Sequence, residues 1–294
     1  MSCLRLPSLH SPLRKGHWML LLLLAAAAPA ETPATPQALQ TPQQVVLAMI
    51  DNENAAAAHP DRYEYVSNER SGRTGGHLWT ERVVETPPGR MRLLLAIDGK
   101  PLSPERMQQE RARLENLRTH PAVFIKHEQN TRAEEKRARD MLEVLPRDFL
   151  FDHVVLQDGL WHMDFHPNPN YTPSGVQERI LHNMAGKLVI DASQLRLVRM
   201  EFHLVQDVPI GFGLLADVQP GTNFISDREQ IDGRWHTMHV ATVVHAKAVI
   251  FKTVDLNIDL HRSQFQPLDH DVSVPEAAEM LLHSPTSAML TASN

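Results

Sequence analysis

Cysteine is nearly absent. The 294 residues hold one, Cys3, so a disulfide framework and a thiolate zinc site are excluded, and so is a cysteine nucleophile once the N-terminus is processed. Cationic excess is missing as well: 29 Lys+Arg stand against 35 Asp+Glu, a net charge of −6, which leaves no broad basic surface to grip nucleic-acid phosphates. The catalytic signatures that can be read from one chain are also lacking. There is no Gly-rich phosphate loop ending in Lys-Ser/Thr, no His-Glu-x-x-His and no Gly-x-Ser-x-Gly elbow. Gly211-Phe212-Gly213 is a glycine pair without the rest of a dinucleotide fingerprint, and reads as a bulge or tight bend. Carboxylates are abundant but keep no fixed spacing to a nucleophile or base. The expectation is a protein that is not an enzyme and needs no cofactor. Disorder is excluded in turn, because 42% of the residues are hydrophobic, enough to build a core.

No acidic residue precedes Glu31. Arg5, Arg14 and Lys15 lead into the apolar run Trp18 to Ala28, which ends in Ala28-Pro29-Ala30. A basic head, a short apolar stretch and small residues before the cut form an export signal, and the run is too short to span a bilayer. Residues 1–30 are expected to be a signal peptide cleaved between Ala30 and Glu31. Export follows. Removing those three cations leaves 29 − 3 = 26 basic residues against 35 acidic ones.

Residues 31–41, rich in Pro, Thr and Gln, read as a flexible lead-in. Thr41-Pro42-Gln43-Gln44 predicts a capped helix start, with Val45, Met49 and Ile50 on its apolar face and an end near Ala58. Strands follow at Tyr63 and Tyr65, at His77 to Glu85 and at Arg90 to Ile97, separated by Gly75-Gly76 and Pro88-Gly89. Ser103-Pro104 opens a charged helical insert, 103–145, broken at His120-Pro121 into two helices near 104–119 and 122–145. Its interspersed Glu, Arg and Lys read as a solvated helix face. A hairpin turning at Asp158-Gly159, a short helix over Ser174 to Ala185 and a strand meander from Lys187 to Leu260 complete the pattern. The fold class is therefore mainly β (α+β). About ten strands with turns too short for parallel crossovers predict a strongly curved antiparallel sheet or unclosed β-barrel, with helices packed on one side as a lid. One domain is expected over 42–268, followed by a tail, 269–294, with a short helix and then disorder.

Histidine is plentiful, at 17 residues. On an extended strand His162, Asp164 and His166 project to one side and could ligate a metal if a fourth group joined them. The competing reading is the solvent face of a strand whose other face, Trp161, Met163 and Phe165, is core. His236, His239 and His245 do not keep to one strand face, so a site there would need a second strand. Several strands carry complete apolar rows, which either fill with core or leave a groove for acyl chains. Strand parity names Trp161, Met163, Phe165, Met200, Phe202, Leu204, Leu256 and Ile258 as the groove lining.

The helix-then-meander pattern resembles the LolA/LolB/RseB-like superfamily of diderm envelopes, and within it the outer membrane lipoprotein-sorting protein-like sequences. The resemblance is carried by Tyr63-Glu-Tyr-Val-Ser-Asn-Glu-Arg70, by Asp98-Gly-Lys-Pro-Leu-Ser103, by Gly186-Lys-Leu-Val-Ile-Asp191 with Leu197 to Leu204, and by Trp235 to Phe265. It implies an exported protein in the periplasm of a diderm bacterium, an unclosed antiparallel barrel under a helical lid, with lipid or lipoprotein acyl chains in the apolar interior. The partners implied are a lipid or acylated lipoprotein, with transient membrane contact only. The alternative is an envelope protein-interaction or sensor module with a dry interior.

Overall fold

The computed structural model describes residues 41–210, 216–248 and 252–283. The expected signal-peptide cleavage at Ala30 and Glu31, the lead-in before Thr41 and the Gly211–Gly213 bend lie outside them.

Local chemistry accounts for most element ends. Helix α1 (Pro42–Ala58) begins at a capping box: Thr41 Oγ1 accepts from the Gln44 backbone N–H, and Gln44 Oε1 accepts from the Thr41 N–H. Strands β1 (Tyr63–Arg70), β2 (Trp79–Thr86), β3 (Gly89–Ile97) and the two-residue β4 (Lys100–Pro101) form the first meander. Helices α2 (Pro104–Thr119), capped by Ser103, and α3 (Pro121–Leu142) follow, then the single turn α4 (Leu145–Asp148). Next come β5 (Phe149–Gln157), β6 (Leu160–Pro167), α5 (Val176–His182), β7 (Met184–Asp191) and β8 (Arg196–Leu204). The short β9 (Val208–Ile210) and β10 (Ala216–Val218) precede β11 (Asn223–Ile231), β12 (Arg234–Ala248), β13 (Lys252–Pro267) and α6 (Val274–His283). The turns Asp98-Gly99, Asp158-Gly159 and Asp232-Gly233 each hold both residues at positive φ. That is the geometry of a tight hairpin turn, and it explains the repeated Asp-Gly pair.

Thirteen antiparallel strands among the described residues make one sheet, ordered β4-β3-β2-β1-β13-β12-β11-β8-β7-β6-β5, with the β9–β10 hairpin attached to β12. The path ends at β4 and at β5, so the sheet does not close into a barrel. Along this path two joints are not between chain neighbours: β11 pairs with β8, and β1 pairs with β13, Tyr63 standing opposite Pro267. The path is thus three sequence-local runs, β1–β4, β5–β8 and β11–β13, with β11–β13 between the other two.

The helices divide between two places. α1 packs with α4 and Leu181 of α5 on β5–β8, where Val46, Met49, Phe149, Met163, Leu188 and Met200 are buried together. Met163, Leu188 and Met200 stand side by side in register on three neighbouring strands, one apolar row under one helix. α2, α6 and Phe124 of α3 pack on Val84, Met91, Leu93 and Leu95 of β2–β3. Val83, next to Val84, packs with Tyr63 and Tyr65 instead. Side chains alternate along a strand, so α2 and α6 cover the face of this hairpin opposite to the one carrying Tyr63. The apolar row of β3 requires that cover.

Several element bounds differ from expectation. Met184 and Ala185 belong to β7 rather than to the preceding helix, which starts at Val176. A Cβ on Gly186 would collide with the Glu201 and Phe202 backbone, so its glycine marks a close strand approach. β13 runs on to Pro267, past Leu260. α6 is docked through the fully buried Ala277, Ala278 and Leu281, and is part of the core.

Candidate functional site

Between α1 and the sheet lies a cavity of about 740 Å³. Its apolar part is built from Met49 and Ile50 of α1, Phe165 of β6, Met200 and Phe202 of β8 and Phe224 of β11. Phe165, Gly186, Phe202 and Phe224 are neighbours in register across β6, β7, β8 and β11. The Phe202 and Phe224 rings stack with centroids 4.8 Å apart. Gly186 puts no side chain between the phenylalanines of that row. Leu142 and Arg139, at the end of α3, also border the cavity.

The end of α1 supplies the polar wall. Glu53 accepts from Arg196 Nε at 2.9 Å and from the Leu197 backbone N–H at 3.1 Å, and pairs with Arg228 Nη1 at 2.5 Å. Burial would raise the Glu53 carboxyl, but Arg196 and Arg228 outweigh it and hold the group below the usual range. Arg228 Nε is buried with no hydrogen-bond partner among the described residues. Arg234 pairs with Asp61 at 2.9 Å and donates to the Tyr63 hydroxyl at 3.3 Å.

The β7–β8 turn ties the rim together. Asp191 Oδ1 accepts from the backbone N–H groups of Ser193 and Gln194, a side chain standing in for a backbone turn. Gln194 then bridges two walls: its carbonyl accepts from Asn52 Nδ2 of α1 at 2.9 Å, and its Oε1 accepts from Trp235 Nε1 of β12 at 2.7 Å. An apolar interior with a few convergent polar groups at one end suits an amphipathic molecule, and the volume lies within the roughly 300–1,000 Å³ of small-ligand sites.

Of the residues named by parity, Phe165, Met200 and Phe202 line the cavity. Met163 is 2% exposed and sits in the packed cluster under α1, with Trp161 half-buried at its margin. Leu204 is buried in a separate cluster with Met184, Val208 and Val218. Leu256 and Ile258 pair with Val244 and Thr242 of β12. They are not among the cavity-lining residues, and Leu256 is 41% exposed.

Sequence reasoning missed Phe224, Trp235, Arg228 and Glu53. On β12 a bulge intervenes: Asp227 and Arg228 of β11 face His239 and Thr237 of β12, skipping Met238. Parity counted along β12 reverses there. The β8–β11 joint that brings Phe224 to Phe202 is equally invisible in a linear pattern.

His162, Asp164 and His166 do not come together as one ligand set. Asp164 accepts from His153 Nδ1 of β5 at 3.0 Å and pairs with Lys187 Nζ of β7 at 3.2 Å. His166 approaches Asp152 instead, at 3.3 Å. His162 stands exposed between Val155 and Val189. Residues two apart along a strand are about 6.5–7 Å apart, whereas partners across strands are about 4.5–5.5 Å apart, so the side chains meet their cross-strand neighbours first.

Comparison with known proteins found no matching family model, no matching curated protein and no matching solved structure.

Proposed function

We propose that this protein is a binding protein, not an enzyme, and that the cavity under α1 holds an acyl chain of a lipid or an acylated protein. The observation that carries the reading is the phenylalanine row, Phe165, Phe202 and Phe224, roofed by Met49 and Ile50 and ending at the Glu53–Arg196–Arg228 group. Each buried methylene contributes about 0.8 kcal/mol, so an alkyl tail in the apolar part supplies the affinity. The charged end meets the polar head. With the export signal expected in residues 1–30, this reading makes the protein an envelope carrier, as the LolA-like resemblance implies.

The test is titration of the full chain with a fluorescent long-chain fatty acid. Two variants are compared with the parent. Met200→Asp puts a charge on the cavity floor, and Ala57→Trp plugs the cavity from an exposed position on α1 that costs the core nothing. The expected result is saturable binding weakened about tenfold or more, a loss of about 1.4 kcal/mol, in both variants, with Leu256→Asp unchanged. Equal binding by the parent and Ala57→Trp, or none by the parent, would overturn the reading and favour a protein-interaction module.

A further inference from the structure

β12 and β13 set His239 directly across from His261, on the face of β11–β12 that carries Asp227 rather than the cavity-lining Ser226 and Arg228. The two imidazole rings stack with centroids 4.1 Å apart and planes within 9°. Both Nε2 atoms lie 3.1 Å from one oxygen, Asp259 Oδ1. On its other side, His239 Nδ1 is 3.1 Å from Asp227 Oδ2, and Asp227 pairs with Arg199. The donor atoms of His239, Asp259 and His261 all fall within 4.8 Å of one another.

A neutral imidazole donates from one nitrogen only, yet His239 presents a nitrogen to a carboxylate on each side. His261 brings a second imidazole, stacked on the first, to the same Asp259 oxygen. A divalent cation could replace the protons between these groups: His239 would keep its Nδ1–H on Asp227 and give its Nε2 lone pair to the metal, the exposed His261 ring would turn out of the stack so that its own Nε2 lone pair meets the same ion, and Asp259 would add a carboxylate. A ligating histidine whose other nitrogen donates to a carboxylate is the usual outer-shell arrangement of metal sites.

We propose that His239, His261 and Asp259 form a site for a zinc-class divalent metal ion, with Asp227 as the positioning residue for His239. Two imidazoles and one carboxylate suit Zn²⁺, Cu²⁺ or Ni²⁺ better than Mg²⁺ or Ca²⁺, which prefer all-oxygen shells. Three protein donors leave a fourth, tetrahedral position for water. A second cluster of this kind among the described residues, Asp152, His153 and Asp164, offers one imidazole, and the Lys187 ammonium already neutralises Asp164. The site is independent of the acyl-chain reading.

The test is calorimetric titration of the chelator-stripped full chain with Zn²⁺ alone. One ion per chain is expected for the parent and none at this site for the His239→Ala, His261→Ala double variant. Asp227→Asn, which keeps all three ligands, is expected to bind roughly tenfold more weakly. Asp152→Asn with His153→Ala should leave binding unchanged. His261 and Asp259 are more than half exposed, so His261→Gln alone repeats the experiment if the double variant fails to fold. No binding by the parent would overturn the proposal, as would binding that survives in the double variant or in His261→Gln. Loss of binding only when Asp152 and His153 are changed would do so too.

Discussion

Gly186 is where the smallest change should cost the most. A methyl group there meets the backbone of Glu201 and Phe202, which no rotamer change can relieve. Overpacking typically costs about 1–3 kcal/mol, and more where backbone must move. Gly186→Ala is expected to lie at or above the top of that range in urea unfolding, whereas alanine at the open Gly72 should stay within about 0.5 kcal/mol of the parent. His236 is the second sensitive residue. It is 6% exposed, with its ring edge-on to Tyr63 at 4.4 Å and near Phe265 at 4.3 Å. Burial, with help from Arg228 and Arg234, holds its imidazole below the ordinary range. The unfolded chain therefore takes up a proton near pH 6.5 that the folded chain refuses, and stability falls as pH drops through that value. The slope reaches at most about 1.4 kcal/mol per pH unit for this one group. Melting temperatures measured from about pH 7 down to about pH 5.5 should fall less steeply for His236→Phe than for the parent.

Helix α6 sets the clearest test among the elements. Leu281, fully buried against the α2 and β2–β3 packing, should cost about 2–5 kcal/mol as alanine. Arg118→Ala on α2 should cost under about 1 kcal/mol, because the Arg118–Glu115 pair is exposed at both ends. What the sequence disclosed about these elements follows the reach of the signal. The Thr41 box, the Ser103 cap and the Asp-Gly turns act within four residues, so α1, α2 and the hairpins were legible almost to their ends. The docking of α6 was not, because what holds it is a surface made by β2, β3 and α2. The cavity falls between these cases. Parity along β6 and β8 found Phe165, Met200 and Phe202, but the wall beyond them depends on the β8–β11 joint and on the β12 bulge. His239 and His261 meet by the same kind of non-local pairing.

For the molecule taken as one body, acid is the expected weakness. Glu53 and Glu69 are both held below the usual carboxylate range: burial raises each, and arginine partners (Arg196 and Arg228 for Glu53, Arg73 for Glu69) outweigh it. Their stabilisation is present above the unfolded value near pH 4.5 and is lost as pH falls through the depressed folded values. That acts in the same direction as His236, at lower pH. The joint between β1 and β13 bears on how the molecule comes to exist at all. The strand that opens the sheet has no completed neighbour on that side until the strand that ends it has been made. Closing so long a loop is entropically slow and comes late. Until then both β1 and β12 present bare backbone edges, the surfaces through which chains stick to one another. A chain cut short before residue 252 keeps those edges permanently, and should aggregate rather than form a smaller sheet.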